Sequence, residues 1–246
     1  MISLAAFALV LLACGPTGGP TLIEEGSGRG VLFVGNSLTY SNQLPEMVRA
    51  LALASGDTFR IGMVANPDWS LEDHWNGGDA RSAIRRGNWE VVVLQQGPSS
   101  LPESRTLLIE YARRFAGEIR AIGGTPALYA VWPSISRLGD FDRASESYRL
   151  AADEVDGMLL PAGEAWRAAW RTDPDLQLYS PDGLHPSVEG TYAAALVIYA
   201  RILNRSPVGA PSDFTLRNGD VVHINPAVAP ALQQAAAAAL AAEAGG

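Results

Sequence analysis

Three polar residues at opposite ends of the chain have the types needed for nucleophilic acyl transfer. Ser37 comes just after the apolar run of residues 31–34, and Asp182 and His185 lie three residues apart near the other end. A serine hydroxyl is a poor nucleophile until a base within hydrogen-bond reach takes its proton. A histidine can be that base, and a neighbouring carboxylate fixes its tautomer. The alternative is a turn serine that caps a helix, with Asp182 in an ordinary turn.

A negative charge that develops on the substrate oxygen needs hydrogen-bond donors already in place. Ser37 leads into a helical stretch, so its own backbone N–H is one candidate, supported by the helix dipole. Gln95 and Gln96 follow the apolar run of residues 91–94 and offer side-chain amides. We therefore expect Ser37, Gln95 and Gln96 to form an oxyanion hole.

Aromatic residues in predicted loops are candidates for stacking on a sugar ring. Trp69, Trp75 and Trp132 fall at the ends of predicted strands. Large aromatic side chains more often fill a core, so the pattern alone leaves both interpretations open. Trp69 and Trp132 are kept as candidate substrate-binding residues.

Two further polar residues are candidates for the substrate-binding surface. Asn36 precedes Ser37 directly, and His74 lies in a predicted loop region beside two carboxylates, where a surface or supporting role is favoured. No second histidine lies near His74 at metal-ligand spacing, so we predict no metal site. His223 lies in a predicted strand and is interpreted as a partly exposed strand residue.

From residue 30 onward, short apolar runs alternate with stretches of helical periodicity. The predicted strands cover residues 31–34, 59–64, 91–94, 127–131 and 158–160, and the helical stripes begin near Leu44, Leu107, Ala144 and Tyr192. This alternation predicts an α/β three-layer sandwich with a mostly parallel central sheet. Ligands bind at the carboxyl ends of such strands, which is where Ser37 and Gln95 are expected.

The two polar blocks resemble those of a known family. GNSLT, residues 35–39, resembles the first block of the SGNH, or GDSL-type, hydrolases, and DGLHP, residues 182–186, resembles their closing block. The resemblance implies a flavodoxin-like SGNH hydrolase fold and an acyl-enzyme mechanism. It also implies that Ser37 is the nucleophile, His185 the base and Asp182 its partner. Members of the family hydrolyse esters, often acetyl groups on carbohydrates or acyl chains of lipids.

The N-terminal segment has the composition of an export signal. Residues 2–13 are almost wholly apolar, a length typical of a signal-peptide core. Leu11-Leu12-Ala13-Cys14 resembles the bacterial lipobox, which implies lipidation of Cys14, a membrane anchor and a place in the bacterial cell envelope. Residues 1–14 are then the signal segment and residues 15–29 a flexible tether. The alternative is an ordinary secretory signal and a soluble secreted product.

The composition fits one globular domain and excludes some partners. The chain has 246 residues, 48% of them hydrophobic, and a formal net charge of −8. An acidic chain is a poor ligand for nucleic acid, whose phosphates require a basic surface. We expect a hydrolase domain over residues 30–205. Residues 206–246 are predicted to form a hairpin around Asn218 and an alanine-rich helix packed on the same domain.

The preferred function is a membrane-anchored serine esterase that removes small acyl groups, above all acetyl, from carbohydrate. It needs no cofactor, and its partners are the acylated substrate and the membrane. One alternative is a lipid-directed acyl hydrolase, such as a lysophospholipase or thioesterase. Another, of a different class, is a non-catalytic carbohydrate-binding lipoprotein. The sequence does not determine the oligomeric state.

Overall fold

A computed structural model describes residues 21–23 and 27–244 of the chain. Within these residues, six strands form one sheet in the order β1-β3-β2-β4-β5-β6. The strands β2 to β6 are parallel, and β1 pairs antiparallel with β3 at one edge. They are β1 Thr21–Ile23, β2 Arg29–Gly35, β3 Phe59–Ala65, β4 Val91–Leu94, β5 Thr125–Tyr129 and β6 Met158–Leu160.

Two groups of packed helices flank this sheet. The first group contains α2, α7, α8 and α9, and the second contains α3, α4, α5 and α6. Short 3₁₀ turns cover Ser41–Gln43 and Ile135–Asp140. The helices are α1 Ser37–Tyr40, α2 Leu44–Ala54, α3 Leu71–Gly77, α4 Asp79–Arg86, α5 Pro102–Ala121, α6 Phe141–Glu154, α7 Ala162–Thr172, α8 Val188–Leu203 and α9 Ala229–Ala244.

The central strands are buried on both faces, as their continuous apolar sequences require. Every residue of β4 is buried, and so is every residue of β2 after Arg29. Helices that cover both sides of a parallel sheet leave no polar face, so its strands do not alternate. The predicted α/β architecture with a mostly parallel sheet is therefore confirmed.

The prediction of a flexible tether over residues 15–29 is wrong for the part that the structure describes. Thr21–Ile23 forms β1, paired with β3 from Thr21 opposite Val64 to Ile23 opposite Gly62. Three residues carry no readable periodicity, and their strand exists because β3 offers an unpaired edge. Residues 15–20, together with the signal segment and Cys14, lie outside the described residues.

The C-terminal segment packs on the same domain, as expected. β7 Asp213–Thr215 and β8 Val221–His223 form an antiparallel hairpin. Helix α9 then packs against α7 and α8, with Leu232 and Ala236 fully buried. No described helix is long and apolar enough to cross a bilayer.

Candidate active site

Ser37 lies at the carboxyl end of β2, in the crevice expected for an open parallel sheet. β2 ends at Gly35, and Asn36 caps α1, its Oδ1 accepting from the Leu38 N–H at 3.1 Å. Ser37 is thus the first residue of α1. The first backbone N–H groups of a helix have no partner within it, so the Ser37 N–H can donate a hydrogen bond to an anion.

Gln95 holds the turn that carries Ser37. Its Oε1 accepts from the Asn36 N–H at 2.9 Å and from the Thr39 hydroxyl at 2.7 Å. Its Nε2 donates to Asn36 Oδ1 at 2.9 Å and to the Gln96 carbonyl. The side chain is fully buried, and both amide hydrogens point at protein acceptors. This geometry contradicts the expectation that Gln95 donates to an oxyanion, because it places the amide behind the turn.

Gln96 is also bound within the protein, although it lines the cleft that contains Ser37. Its Nε2 donates to Ser99 Oγ at 2.8 Å and to the Ser104 carbonyl at 3.3 Å, and its Oε1 accepts from the Leu71 N–H. Both amide hydrogens are again engaged. The oxyanion role expected for Gln96 is therefore not supported by this geometry, and the Ser37 backbone N–H is the candidate donor that remains.

The loop before α8 binds Asp182 tightly to His185. Asp182 Oδ2 lies 2.6 Å from His185 Nδ1, and Oδ1 accepts from the backbone N–H groups of Leu184 and His185, each at 2.9 Å. Gly183 makes this tight turn possible, with φ of +69°. The hydrogen bond from His185, helped by the two backbone bonds, lowers the pKa of the Asp182 carboxyl to about 2. With Nδ1 engaged, Nε2 is the nitrogen left to act as a base.

Asn42 fastens the segment that carries Ser37 to the segment that carries His185. Its Nδ2 lies 2.9 Å from the Pro186 carbonyl, 3.1 Å from the Ser187 carbonyl and 2.8 Å from Thr191 Oγ1. Asn42 has a φ of 49°, a left-handed conformation that asparagine tolerates better than most residues. The two ends of the chain are therefore joined one residue beyond His185. The sequence carried no signal for this contact.

A cleft of about 460 Å³ opens beside Ser37. A second cavity of about 830 Å³ is larger and contains Asp182 and Gly183, but its wall lacks Ser37. The position of the candidate nucleophile, and not size, therefore makes the smaller cleft the candidate active site. Its wall includes Asn36, Ser37, Trp69, Gln96, Arg137 and Leu184.

Of the predicted substrate-binding residues, some line the cleft and others are buried in the core. Asn36 and Trp69 line the cleft, and Asn36 Nδ2 donates to the Trp69 carbonyl at 3.1 Å. Trp132 was predicted to face the substrate, and this is wrong. Its ring is fully buried and stacks on Trp166 with centroids 3.6 Å apart, while its Nε1 donates to the Leu184 carbonyl. It supports the histidine loop from inside the core.

His74 is neither a surface residue nor part of the cleft wall. It is buried, and its Nε2 lies 2.7 Å from the Gly35 carbonyl, where β2 ends. Its ring meets Trp69 edge to face at 4.9 Å. Burial lowers the pKa of His74, although the Gly35 bond and nearby carboxylates oppose this. The expectation that His74 binds substrate is not supported; it supports the turn from behind.

Trp75 and His223, which the sequence analysis also considered, do not line the cleft. Trp75 meets Phe115 edge to face, and the guanidinium of Arg81 lies over its ring at 4.9 Å. His223 is an exposed strand residue paired with Asp213, in agreement with its prediction. Among the described residues, no group of three or more His, Cys, Asp or Glu side chains is arranged to hold a metal ion.

Among the comparisons with known proteins, only the comparison with solved structures found similar proteins. No model of a known protein family matches the sequence, and no curated protein does. A solved protein from Slackia heliotrinireducens, assigned to the SGNH hydrolases, is similar at 27% sequence identity and a TM-score of 0.60. That similarity covers 72% of this chain and all of the other.

Two structures with lower sequence identity share the fold. A DUF4886 family protein from Bacteroides uniformis has a TM-score of 0.70 at 20% identity, over 87% of this chain and 95% of its own. An acetylxylan esterase from Geobacillus stearothermophilus has a TM-score of 0.53 at 13% identity, over 74% of this chain and 95% of its own.

Proposed function

We propose that this chain is a carboxylic ester hydrolase of the SGNH type and that it acts through Ser37, His185 and Asp182. The observation that carries the proposal is the 2.6 Å contact between His185 Nδ1 and Asp182 Oδ2, on a loop fastened by Asn42 to the Ser37 segment. A histidine oriented in this way presents Nε2 as the general base.

The proposed reaction has two steps. Ser37 Oγ attacks the ester carbonyl carbon while His185 Nε2 takes the hydroxyl proton, and the carbonyl oxygen becomes an oxyanion near the Ser37 backbone N–H. The bond from the carbon to the alcohol oxygen then breaks, and His185 gives that oxygen its proton. Water repeats the sequence on the acyl-enzyme, so that the acid leaves and the Ser37 hydroxyl is restored.

We propose an acetyl ester of a carbohydrate as the substrate. A cleft of about 460 Å³ suits a small acyl group and one sugar ring. Its wall mixes hydroxyl groups with the half-buried indole of Trp69, a combination suited to a ring with polar edges and apolar faces. The acetylxylan esterase with the same fold supports this class of substrate.

A lipid-directed acyl hydrolase is the second candidate, because the cleft has an apolar rim. Leu101 and Leu184 line the cleft and are 47% and 37% exposed. Ile135 and Leu138, on the wall of the neighbouring cavity, are 56% and 47% exposed. Exposed apolar side chains grouped in this way can accept an acyl chain.

A series of esters with increasing acyl length decides between these two functions. Carbohydrate deacetylation predicts that kcat/KM falls steeply beyond the acetyl group, whereas a lipid function predicts that it rises with chain length. Ser37→Ala should abolish turnover and labelling by a fluorophosphonate probe. The matched control is Ser136→Ala, since Ser136 is exposed near the cleft but does not line it. A folded wild type that takes no label would instead support the non-catalytic binding protein.

We also propose that Cys14 is lipidated and anchors the enzyme to the bacterial cell envelope. The basis is the Leu11-Leu12-Ala13-Cys14 sequence, followed by a chain whose described part is an enzyme domain. Two or more acyl chains give stable anchoring, whereas one is marginal. Wild type expressed in a bacterium should incorporate labelled fatty acid and sediment with membranes. Cys14→Ser should do neither, and equal sedimentation of both would contradict the anchor.

A further inference from the structure

One arginine lies on the wall of the active-site cleft. Arg137 belongs to the 3₁₀ turn Ile135–Asp140, its side chain is 49% exposed, and it lines the same cleft as Ser37. Asp68, on the loop after β3, is the other charged residue among those found to line this cleft. The cleft therefore has a cation on one wall segment and an anion on another.

Arg137 is held in place by a buried carboxylate that it shares with a second arginine. Asp140 pairs with both Arg137 and Arg143, and its side chain is only 10% exposed. Ser100, another cleft residue, donates its hydroxyl to Asp140 Oδ2 at 3.0 Å. Partial burial opposes ionisation, but the Ser100 bond and the two arginines together lower the pKa of Asp140.

The charges in this group do not cancel. Two guanidinium groups face one ionised carboxylate, so the group of Arg137, Asp140 and Arg143 has an excess of one positive charge. The ion pair joins Arg137 Nη2 to Asp140 Oδ2, and the Arg137 side chain is 49% exposed. A guanidinium has five N–H donors in a planar fork, so Arg137 retains donors that can bind a second oxyanion.

We propose that Arg137 binds a carboxylate on the carbohydrate that carries the ester, so that the preferred substrate is an O-acetylated acidic sugar. The inference rests on the proposed esterase activity and specifies its substrate class. A carboxylate matches the fork of a guanidinium in a bidentate arrangement, and the buried Asp140 fixes Arg137 before the substrate arrives. Arg143 shares Asp140 but is absent from the cleft wall, so it provides a matched control.

The test compares acetate release from O-acetylated methyl glucuronide and from O-acetylated methyl glucoside, which differ by a carboxylate in place of a hydroxymethyl group. For the wild type at low salt, we expect kcat/KM to be roughly threefold to tenfold higher for the glucuronide, mainly through a lower KM. A larger difference is not expected, because a half-exposed ion pair contributes only a small binding free energy. Arg137→Gln should bring the ratio of the two substrates to about one. Arg143→Gln should keep the ratio, and added salt should reduce it.

Two results would contradict the proposal while leaving the esterase function intact. One is a wild type that hydrolyses both substrates equally, and the other is an Arg137→Gln variant that keeps the wild-type ratio. A third result would also contradict a carboxylate ligand. If kcat/KM rises more for O-acetylated methyl glucoside phosphate than for the glucuronide, relative to the glucoside, the site prefers a phosphate. If the folded wild type hydrolyses none of these esters, the esterase proposal itself is contradicted.

Discussion

Asp182 uses each carboxylate oxygen for a different purpose. Oδ1 accepts two backbone N–H groups that form the turn, and Oδ2 faces His185 Nδ1. The lowered pKa of Asp182, about 2, is well below its ordinary value because the charged form receives all these bonds. The Asp182 carboxylate therefore stays ionised at neutral pH.

The division of roles between the two oxygens predicts a specific effect of Asp182→Asn. The new amide oxygen can still accept the two backbone bonds, so the turn should remain. Its NH₂ group cannot accept from Nδ1, so His185 should adopt the tautomer with a proton on Nε2, which cannot act as a base. We expect kcat to fall by a factor on the order of 10⁴, as for other triads.

The control for this substitution is Asp213→Asn, because Asp213 also pairs with a histidine, His223, but on the exposed hairpin. Turnover of this variant should stay within about twofold of wild type, as expected for an exposed site away from the cleft. A similar loss in both variants would contradict the assignment of Asp182. So would normal turnover of Asp182→Asn.

Gln95 is a structural residue of the same turn, and its removal tests that role. Gln95→Leu keeps the approximate volume but leaves the Asn36 backbone N–H, Asn36 Oδ1 and the Thr39 hydroxyl without their present partner. We expect the free energy of unfolding to fall by about 1–3 kcal/mol, together with turnover. Urea unfolding measures the free energy of unfolding. The control is Gln177→Leu, because Gln177 is exposed. A variant as stable as wild type but defective in catalysis would favour a direct role for Gln95.

At the level of elements, Asn42 connects the first catalytic segment to the start of α8. Asn42→Gly removes the side chain and its three contacts but tolerates the left-handed φ of 49°. We expect kcat to fall about tenfold to a hundredfold, because small displacements of catalytic groups have effects of that size. Asn204→Gly is the matched control, since Asn204 has a φ of 51° at the far end of α8. Equal kcat values for both variants would show that the contact does not position the site.

The elements themselves were predictable to different degrees. β4 and β6 have the predicted bounds, because their apolar runs end sharply at polar or turn residues. The helical stripes predicted from apolar periodicity do not include α3, α4 or α7. α3 and α4 are short, and α4 is rich in arginine, so its buried face consists of little more than Ala80, Ala83 and Ile84. Such helices form mainly because a neighbouring layer packs on them, a contribution that local periodicity does not show.

For the whole molecule, the buried His74 makes stability depend on pH. Burial lowers its pKa in the folded state from the ordinary value of 6.5. Below that value the unfolded chain binds a proton that the folded chain does not, so stability rises with pH and is lost as pH falls. The loss begins near the unfolded pKa and continues until the pH reaches the lowered folded pKa. We therefore expect Tm to fall as the buffer is made mildly acidic.

His74→Gln should flatten this dependence, because glutamine does not titrate and its amide can still donate to the Gly35 carbonyl. His223→Gln is the comparison variant, since it removes an exposed histidine but keeps His74, so the pH dependence caused by His74 should remain. Differential scanning calorimetry over neutral and mildly acidic buffers measures both slopes. Identical slopes in wild type and His74→Gln would contradict the assignment.

The sequence by itself indicated the five parallel strands β2 to β6 but not β1, because apolar runs separated by helical stripes are typical of a parallel sheet covered on both faces. It also indicated Ser37, Asp182 and His185, since their types and the GNSLT and DGLHP runs are local features. Only the tertiary structure decided that Gln95 supports the turn, that Trp132 is in the core, and that Arg137 lines the cleft. Those outcomes depend on which way a side chain faces and what meets it from a distant segment, and a linear pattern does not encode such contacts.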